Sequence, residues 1–272
     1  MEVLNIKKEF EPFQVNVAED LVVCISQYKS TEYTNNAIKV LRKSGIPFTS
    51  IVLCDGTDEK DISKEFEDNI DIKIHIKKRV NSLPHIWNIM HGVAKLTGAK
   101  YLYHQDSDIE LKEDALKSMM SLINQYDIVS PVKIDKDREK FDAYTPLLSS
   151  PQQIVGFNDS CVLFNLDKLH FMPFDEHYAP YQWEITDLAY NLYKSGLTSV
   201  LETKAVAYHF CSKDIKFSPE NRTFGSDTWD DKKEYFLNKD DDPERKLFVD
   251  KSVMNSQSAN KYGFPCYEGC NL

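Results

Sequence analysis

The sequence is short of basic charge, of glycine and of long apolar runs, and each shortage excludes a class of protein. Its 33 lysines and arginines are outnumbered by 43 aspartates and glutamates, which leaves a formal net charge of −10. Nucleic acids and anionic membranes attract basic surfaces, so neither is an expected partner. No uninterrupted apolar run approaches the ~20 residues that an integral membrane segment needs. With 9 glycines in 272 residues, the chain is not collagen-like.

The N-terminus and the cysteines indicate a protein that is not exported. The first residues, MEVLNIKKEFEPF, lack the basic, apolar and small-residue order of a signal peptide. Cys24, Cys54 and Cys161 lie in apolar runs, where a free thiol behaves as a small hydrophobe. We therefore expect reduced cysteines in a soluble, cytoplasmic protein. The remaining cysteines and a nearby histidine form an alternative with loose spacing, a zinc site made by His209, Cys211, Cys266 and Cys270.

Strand-like and helix-like segments alternate through residues 20–131. Apolar runs rich in Val and Ile, such as DLVVCIS (20–26) and FTSIVLCDG (48–56), predict buried strands. Apolar residues at helical spacing predict helices between the strands, and Ser82 and Gly98 mark the start and the end of one of them. Such alternation is typical of an α/β fold with a mostly parallel central sheet flanked by helices.

The alternation loosens after residue 131. SCVLFN (160–165) and KAVAYHF (204–210) predict strands, and WEITDLAYNLYKSG (183–196) predicts an amphipathic helix. Beyond about residue 212 the tail is polar and aromatic. We expect it to wrap the domain without a core of its own, with the run NKDDDPERK (238–246) as solvated surface.

Acidic residues follow two of the predicted strands at the point where each strand ends. Asp55 ends the second strand, and Asp106 and Asp108 end the fourth, in YLYHQDSD. Ligands of open α/β sheets bind at the carboxyl ends of parallel strands, so these acids are expected at one edge. Alternate residues of an extended chain point the same way, so Asp106 and Asp108 can contact one ligand together. Neighbouring carboxylates repel unless a cation lies between them, and hard divalent cations prefer oxygen ligands.

Taken in order, the segments resemble the GT-A fold glycosyltransferases, and most closely the large family 2 of inverting enzymes. The resemblance spans about residues 20–210 and is carried by VVCISQYKS, SIVLCDGTDE, YLYHQDSDIEL, PFDEHYAPYQWEITDLAYNLYKSGL and AVAYHF. The family pattern has a strand ending in Asp-Gly-Ser/Thr, an Asp-x-Asp motif, an acidic helix start of the form Glu-Asp-x-Asp-Leu and a late metal-binding His. The resemblance implies a single GT-A catalytic domain at 1–212, with a nucleotide-binding part at about 18–131, an acceptor part at about 132–212 and a C-terminal extension at 213–272.

The resemblance also implies a donor site for a nucleotide-diphosphate sugar, with UDP or GDP as the nucleotide. Asp55 is implied to accept a hydrogen bond from the base. The other residues implied to line the nucleotide are Ser26, Tyr28, Asn81, Asp106 and Ser107. The implied ligands of Mn²⁺ or Mg²⁺ are Asp106, Asp108 and His209.

On the acceptor side, the resemblance implies that a carboxylate takes the proton from an acceptor hydroxyl, with a glycan as the expected acceptor. The hydroxyl then attacks the anomeric carbon from the face opposite the nucleotide. Glu184, at the start of the WEITDL helix, is the first candidate for this base and Asp187 is the second.

The chain departs from the family pattern at two positions. Gln105 stands directly before Asp-x-Asp, where relatives often have an aliphatic residue, and Ile185 replaces an acid that acts as the base in many relatives. The second departure leaves open a catalytically inactive GT-A domain that acts as a binding protein. A nucleotidyltransferase is a further alternative, but it would show a Gly-rich, basic loop after the first strand, and CISQYKSTEYT contains no glycine.

Overall fold

The computed structural model describes residues 19–28, 31–55, 70–76, 80, 82–135, 138–146, 150–158, 160–169, 173–179, 183–210 and 229–250. The strands within these ranges are β1 (Leu21–Gln27), β2 (Thr49–Asp55), β3 (Ile72–Ile76), β4 (Tyr101–Asp106), β5 (Ile109–Leu111), β6 (Ile128–Asp135), β7 (Gln152–Ile154), β8 (Cys161–Asn165) and β9 (Ser199–His209). The α-helices are α1 (Thr31–Lys43), α2 (Leu83–Leu96), α3 (Ala115–Met120), α4 (Arg138–Ala143), α5 (Glu184–Lys194) and α6 (Trp229–Asn238). Short 3-10 helices cover Glu176–Tyr178 and Lys239–Asp241, and residues 244–250 are helical.

The strands form one mixed sheet in the order β3-β2-β1-β4-β8-β6-β9-β5, with β7 paired to β9. Strands β3, β2, β1 and β4 are parallel, as the sequence predicts. Parallel strands that follow each other in the chain need a crossover connection, which α1 supplies between β1 and β2 and α2 between β3 and β4. The other half of the sheet is mixed, because β8 runs antiparallel to β4 and to β6, whereas β6 and β9 are parallel.

The core lies on both faces of this sheet, which confirms the predicted single-domain α/β arrangement. Alternate residues of β1 pack on opposite sides: Val23 and Ile25 join the core under α1 and α3, and Val22 and Cys24 join the core under α2 and α5. Trp87 of α2 is buried in the second of these cores.

The ends of α2 also follow the prediction. The Ser82 hydroxyl accepts a hydrogen bond from the backbone nitrogen of His85 at 3.3 Å, which caps the helix. Gly98 follows with a φ of +74°, a backbone conformation that glycine adopts readily. The three cysteines of the core, Cys24, Cys54 and Cys161, are buried and unbridged, as expected of small hydrophobes.

Residues 229–250, which we call the C-terminal segment, pack against α5. Phe236, Phe248 and Val249 of this segment share a buried cluster with Trp183 and Tyr190. No helix in the described part of the chain is long and apolar enough to cross a membrane.

The prediction that NKDDDPERK is only solvated surface is wrong for two of its residues. Arg245 is buried, and Lys239 forms ion pairs with Asp175 and Asp187. Composition alone gave no sign of these pairs, because their acidic partners lie on another part of the chain.

Candidate active site

The carboxyl ends of β1, β2 and β4 meet at one edge of the sheet. Ser26, near the end of β1, stands opposite Leu53 of β2 on one side and opposite Asp106 of β4 on the other. Asp55 ends β2 two residues further on. The strand register therefore brings Ser26, Asp55 and Asp106 to the same edge, which is where the sequence predicts the two aspartates.

Asp55 is buried at this edge and also holds a neighbouring part of the chain. Its Oδ1 atom accepts a hydrogen bond from the backbone nitrogen of Val80 at 2.9 Å. This bond ties the approach to α2 against the end of β2. Tyr28 follows β1 and is half-buried. Asn81, the other predicted nucleotide contact in this region, lies outside the described residues.

A tight turn carries the Asp-x-Asp motif from β4 to β5. Asp106 ends β4, and its backbone nitrogen donates to the carbonyl of Ser160 at 2.9 Å. The buried side chain of Gln105 donates through Nε2 to the carbonyl of Ile109 at 3.3 Å, across the turn. An aliphatic residue could not form this bond, which gives the departure at Gln105 a physical role in closing the turn.

The pairing of β5 with β9 brings Asp108 and His209 together. Ile109 stands opposite His209, and the backbone nitrogen of Phe210 donates to the carbonyl of Asp108 at 3.1 Å. As a result, Oδ2 of Asp108 lies 3.4 Å from Nε2 of His209. The two residues are far apart in sequence, and this short antiparallel ladder accounts for their contact.

These side chains have the chemistry of a divalent-cation site but do not complete one. Within the described ranges, no group of three or more His, Cys, Asp or Glu side chains is placed to hold a metal ion. Asp108 and His209 supply a carboxylate and an imidazole, with Asp106 at the preceding strand end. Mg²⁺ and Mn²⁺ commonly take their further ligands from phosphate and water, so this partial set fits such an ion. Three ligands of the alternative zinc site, Cys211, Cys266 and Cys270, lie outside the described residues.

Both candidate bases lie in the first turn of α5 and are buried. Glu184 is 4% exposed and Asp187 is 2% exposed. The helix begins after Trp183, whose carbonyl accepts a hydrogen bond from the backbone nitrogen of Asp187 at 2.8 Å. Ile185, which replaces the family's acid, packs against the core under α2.

The C-terminal segment supplies cations to these two acids, which the sequence analysis did not predict. Asp187 Oδ1 lies 2.6 Å from Nη1 of Arg245, and its Oδ2 lies 2.7 Å from Nζ of Lys239. Lys232 of α6 is buried near Glu184: burial lowers the pKa of Lys232, and the charge of Glu184 partly offsets that effect. Asp187 is therefore engaged in ion pairs, and Glu184 is near a buried lysine.

A tryptophan directly before an acidic helix start can stack on a sugar face or pack in the core, and Trp183 stands at that position. In the structure its indole ring lies 5.4 Å from the ring of Phe236, measured between centroids, and the residue is buried. The packing role is the one observed.

Comparisons with known proteins agree with this architecture. Residues 22–177 match the family model described as glycosyl transferase family 2. No curated protein matches the sequence. Among solved structures, S. aureus TarS 1–349 in complex with UDP has a TM-score of 0.59 at 14% identity, over 88% of this chain and 72% of that one.

A second similar structure is that of GalNAc-T7 with UDP, GalNAc and Mn²⁺. It has a TM-score of 0.52 at 10% identity, over 70% of this chain and 43% of that one. At these identities the structural likeness shows a shared GT-A fold and no more. The family model, in contrast, covers more than half of the chain. The chain therefore belongs to glycosyl transferase family 2 and has the GT-A fold.

Proposed function

We propose that this protein is a metal-dependent, inverting glycosyltransferase that moves a sugar from a UDP- or GDP-sugar to a hydroxyl acceptor, with a glycan as the acceptor class. One observation carries the proposal: in a family 2 fold, Asp55, Asp106 and the Asp108–His209 pair lie at strand ends where such sheets bind ligands. UDP is the first nucleotide to test, because the similar structures of TarS and GalNAc-T7 contain it.

On the donor side, Asp55 accepts a hydrogen bond from a ring N–H of the base, which uracil and guanine both offer. Ser26, Tyr28 and Ser107 line the nucleotide, together with Asp106. Asn81 belongs to the same proposed set.

Asp106, Asp108 and His209 hold the divalent cation in this proposal. The bound cation supplies positive charge that offsets the charge developing on the leaving diphosphate. The contribution of the protein is to keep the carboxylate and the imidazole 3.4 Å apart through the β5–β9 pairing.

On the acceptor side, Glu184 takes the proton from the attacking hydroxyl. Asp187 is the weaker candidate because Arg245 and Lys239 already hold both of its oxygens. An acceptor hydroxyl would have to displace one of these contacts to reach a carboxylate oxygen of Asp187. The hydroxyl attacks the anomeric carbon opposite the diphosphate, which inverts its configuration.

The test is release of UDP or GDP from a panel of nucleotide sugars, measured with Mn²⁺ and with EDTA. We expect release only with Mn²⁺, and we expect Asp108→Ala to abolish it while the melting temperature stays near that of the wild type. Asp114→Ala is the matched control, since it removes an exposed carboxylate that forms no capping bond. Equal release with Mn²⁺ and with EDTA, or undiminished release by Asp108→Ala, would show that the metal assignment is wrong.

One observation favours a second candidate, a GT-A domain that binds a nucleotide sugar without transferring it. Ile185 occupies the position of an acid, and the remaining acids of that helix start are buried beside the C-terminal segment. Mn²⁺-dependent binding of UDP with no release from any donor of the panel would select this candidate. A nucleotidyltransferase is disfavoured by the family assignment.

A further inference from the structure

The residue directly before Glu184 has an uncommon backbone conformation. Trp183 has φ 66° and ψ −15°, in the left-handed region. For a bulky side chain this conformation is unfavourable and persists only where the surroundings impose it. It sets the direction in which the chain enters α5 and therefore the direction of Glu184.

The C-terminal segment packs on Trp183 and holds it in place. Phe236 of α6 is fully buried and its ring is tilted by 32° against the indole. Arg245 lies over the ring of Phe236, with its guanidinium carbon 4.9 Å from the ring centre. One buried cation of the segment therefore supports the aromatic contact and also pairs with Asp187.

Lys239 joins two elements that flank the candidate base. Its Nζ atom lies 2.7 Å from Asp187 in α5 and 2.8 Å from Asp175, in the stretch 173–179 that precedes the helix. The hydroxyl of Tyr235 donates to the same Asp175 oxygen at 3.0 Å. Asp175 also caps the 3-10 helix Glu176–Tyr178 through the backbone nitrogen of His177. The chain on the N-terminal side of Glu184 and the helix turn that carries it thus share one lysine.

We propose that Phe236, Lys239 and Arg245 are positioning residues for Glu184, so that the C-terminal segment is part of the catalytic apparatus on the acceptor side. They act through Trp183, Asp175 and Asp187 and do not contact the substrate. This inference rests on the proposed function of Glu184 as the base.

The buried charges of the C-terminal segment are better explained by the positioning of Glu184 than by a contribution to stability alone, for two physical reasons. Buried ion pairs contribute little net stability compared with apolar packing, because desolvation offsets their attraction. A misplacement of a catalytic group by about 1 Å, by contrast, can cost on the order of 100-fold in rate. The buried charges on α5 cluster at its first turn, where the direction of Glu184 is set.

The other end of α5 offers a matched control. Lys194, in its last turn, lies 3.0 Å from Glu244 of the same C-terminal segment. The Lys194 side chain is 39% exposed, and the contact is remote from the helix start. Lys194→Met therefore removes a lysine that joins α5 to the C-terminal segment, and it leaves the surroundings of Glu184 intact.

The experiment compares Lys239→Met with Lys194→Met, using UDP release from a UDP-sugar in the presence of Mn²⁺. We expect Lys239→Met to lower kcat on the order of 10- to 100-fold while the KM for the donor changes little. Lys194→Met should keep the wild-type kcat, and Lys239→Arg should recover part of the loss because it retains the charge. Equal kcat values in Lys239→Met and Lys194→Met, or equal losses in both, would overturn the proposal.

Hydrogen exchange gives a second readout that does not require activity. Amides in the first turn of α5, among them that of Asp187, should exchange faster in Lys239→Met and not in Lys194→Met. If the wild type released no UDP but this difference appeared, the proposed function would fail while the positioning by the segment stood. Unchanged exchange in Lys239→Met would reject the positioning itself, whatever the activity of the wild type.

Discussion

The proposed donor edge, which carries Ser26, Asp55 and Asp106, and the proposed acceptor side, at the start of α5, are built by different means. At the donor edge, parallel strand register places Ser26, Asp55 and Asp106 together through backbone hydrogen bonds. On the acceptor side, Asp187 is held at the start of α5 by side chains of the C-terminal segment. A local motif can therefore specify where a strand ends, but it cannot specify which distant charges meet.

The comparison leads to an expected separation of effects. Variants at the donor edge should weaken nucleotide binding, because their side chains are presented directly to the ligand by the sheet. Variants on the acceptor side should change turnover or stability and leave nucleotide binding intact. A variant in one region that changed the property expected of the other region would show that the two regions are coupled.

The largest expected effect is that of Glu184→Gln on turnover. The change keeps the shape of the side chain and removes its basic oxygen, so kcat should fall by ~10²–10⁴-fold, the usual contribution of a positioned base. Binding of UDP with Mn²⁺, measured by calorimetry, should stay at the wild-type value because the interaction is made only in the transition state. Glu176→Gln, which alters an exposed acid paired with His85, is the control. Wild-type turnover in Glu184→Gln would remove Glu184 from the mechanism.

The stereochemistry of the product tests the same assignment independently. Direct displacement by a hydroxyl activated at Glu184 inverts the anomeric centre. NMR of the first product formed should therefore show the configuration opposite to that of the donor. Retained configuration would reject the inverting mechanism even if Glu184→Gln were inactive.

The next effect is on stability and concerns Asp187→Asn. The substitution leaves Arg245 buried opposite a neutral amide, and breaking a buried ion pair in this way typically costs ~3–5 kcal/mol. Urea unfolding followed by circular dichroism measures the free energy of unfolding. Glu244→Gln, which weakens only an exposed pair with Lys194, should cost ~1 kcal/mol or less. If Asp187→Asn abolished turnover with unchanged stability, the role of base would move from Glu184 to Asp187.

A smaller effect is expected at the donor edge, from Asp55. Loss of a hydrogen bond to a charged acceptor should weaken UDP binding by ~1.5–3 kcal/mol in Asp55→Ala. Asp55→Asn is the more informative variant, because it keeps an oxygen that can accept the hydrogen bond from the Val80 backbone nitrogen. Calorimetry of UDP with Mn²⁺ and melting temperatures should be recorded for both. Wild-type affinity in both variants would exclude a contact between Asp55 and the nucleotide.

The parts of this structure that could be predicted are those with local signals. Buried runs fixed β1, β2 and β8 to within about two residues, which is the usual uncertainty of element ends. The caps at Ser82 and Gly98 likewise located α2. The strands β5 and β7 were not predicted, because each has three residues and exists through pairing with β9.

The unpredicted parts of the site share the same cause. The contact of Asp108 with His209 depends on the β5–β9 register, although the resemblance had grouped the two residues by role. The pairs of Asp187 with Lys239 and Arg245 join residues more than 50 positions apart, and the run NKDDDPERK contains both charges without indicating their partners. Sequence patterns report periodicity and termini, and neither of these encodes a side-chain contact between separate elements.

The last prediction concerns a pair of buried histidines, one in α2 and one in β4. His91 of α2 is buried against Phe164 and Phe174, with Nε2 lying 3.1 Å from Nδ1 of His104. Burial lowers the pKa of His91 from 6.5 to about 3. Between about pH 3 and pH 6.5, the His91 side chain binds a proton in the unfolded chain but not in the folded protein. The free energy of unfolding therefore falls as the pH drops below 6.5. One such group contributes a slope of at most ~1.4 kcal/mol per pH unit. Urea unfolding from pH 7 to pH 4.5 should give a shallower decline for His91→Leu than for the wild type, and parallel declines would show that His91 is not a source of the acid sensitivity.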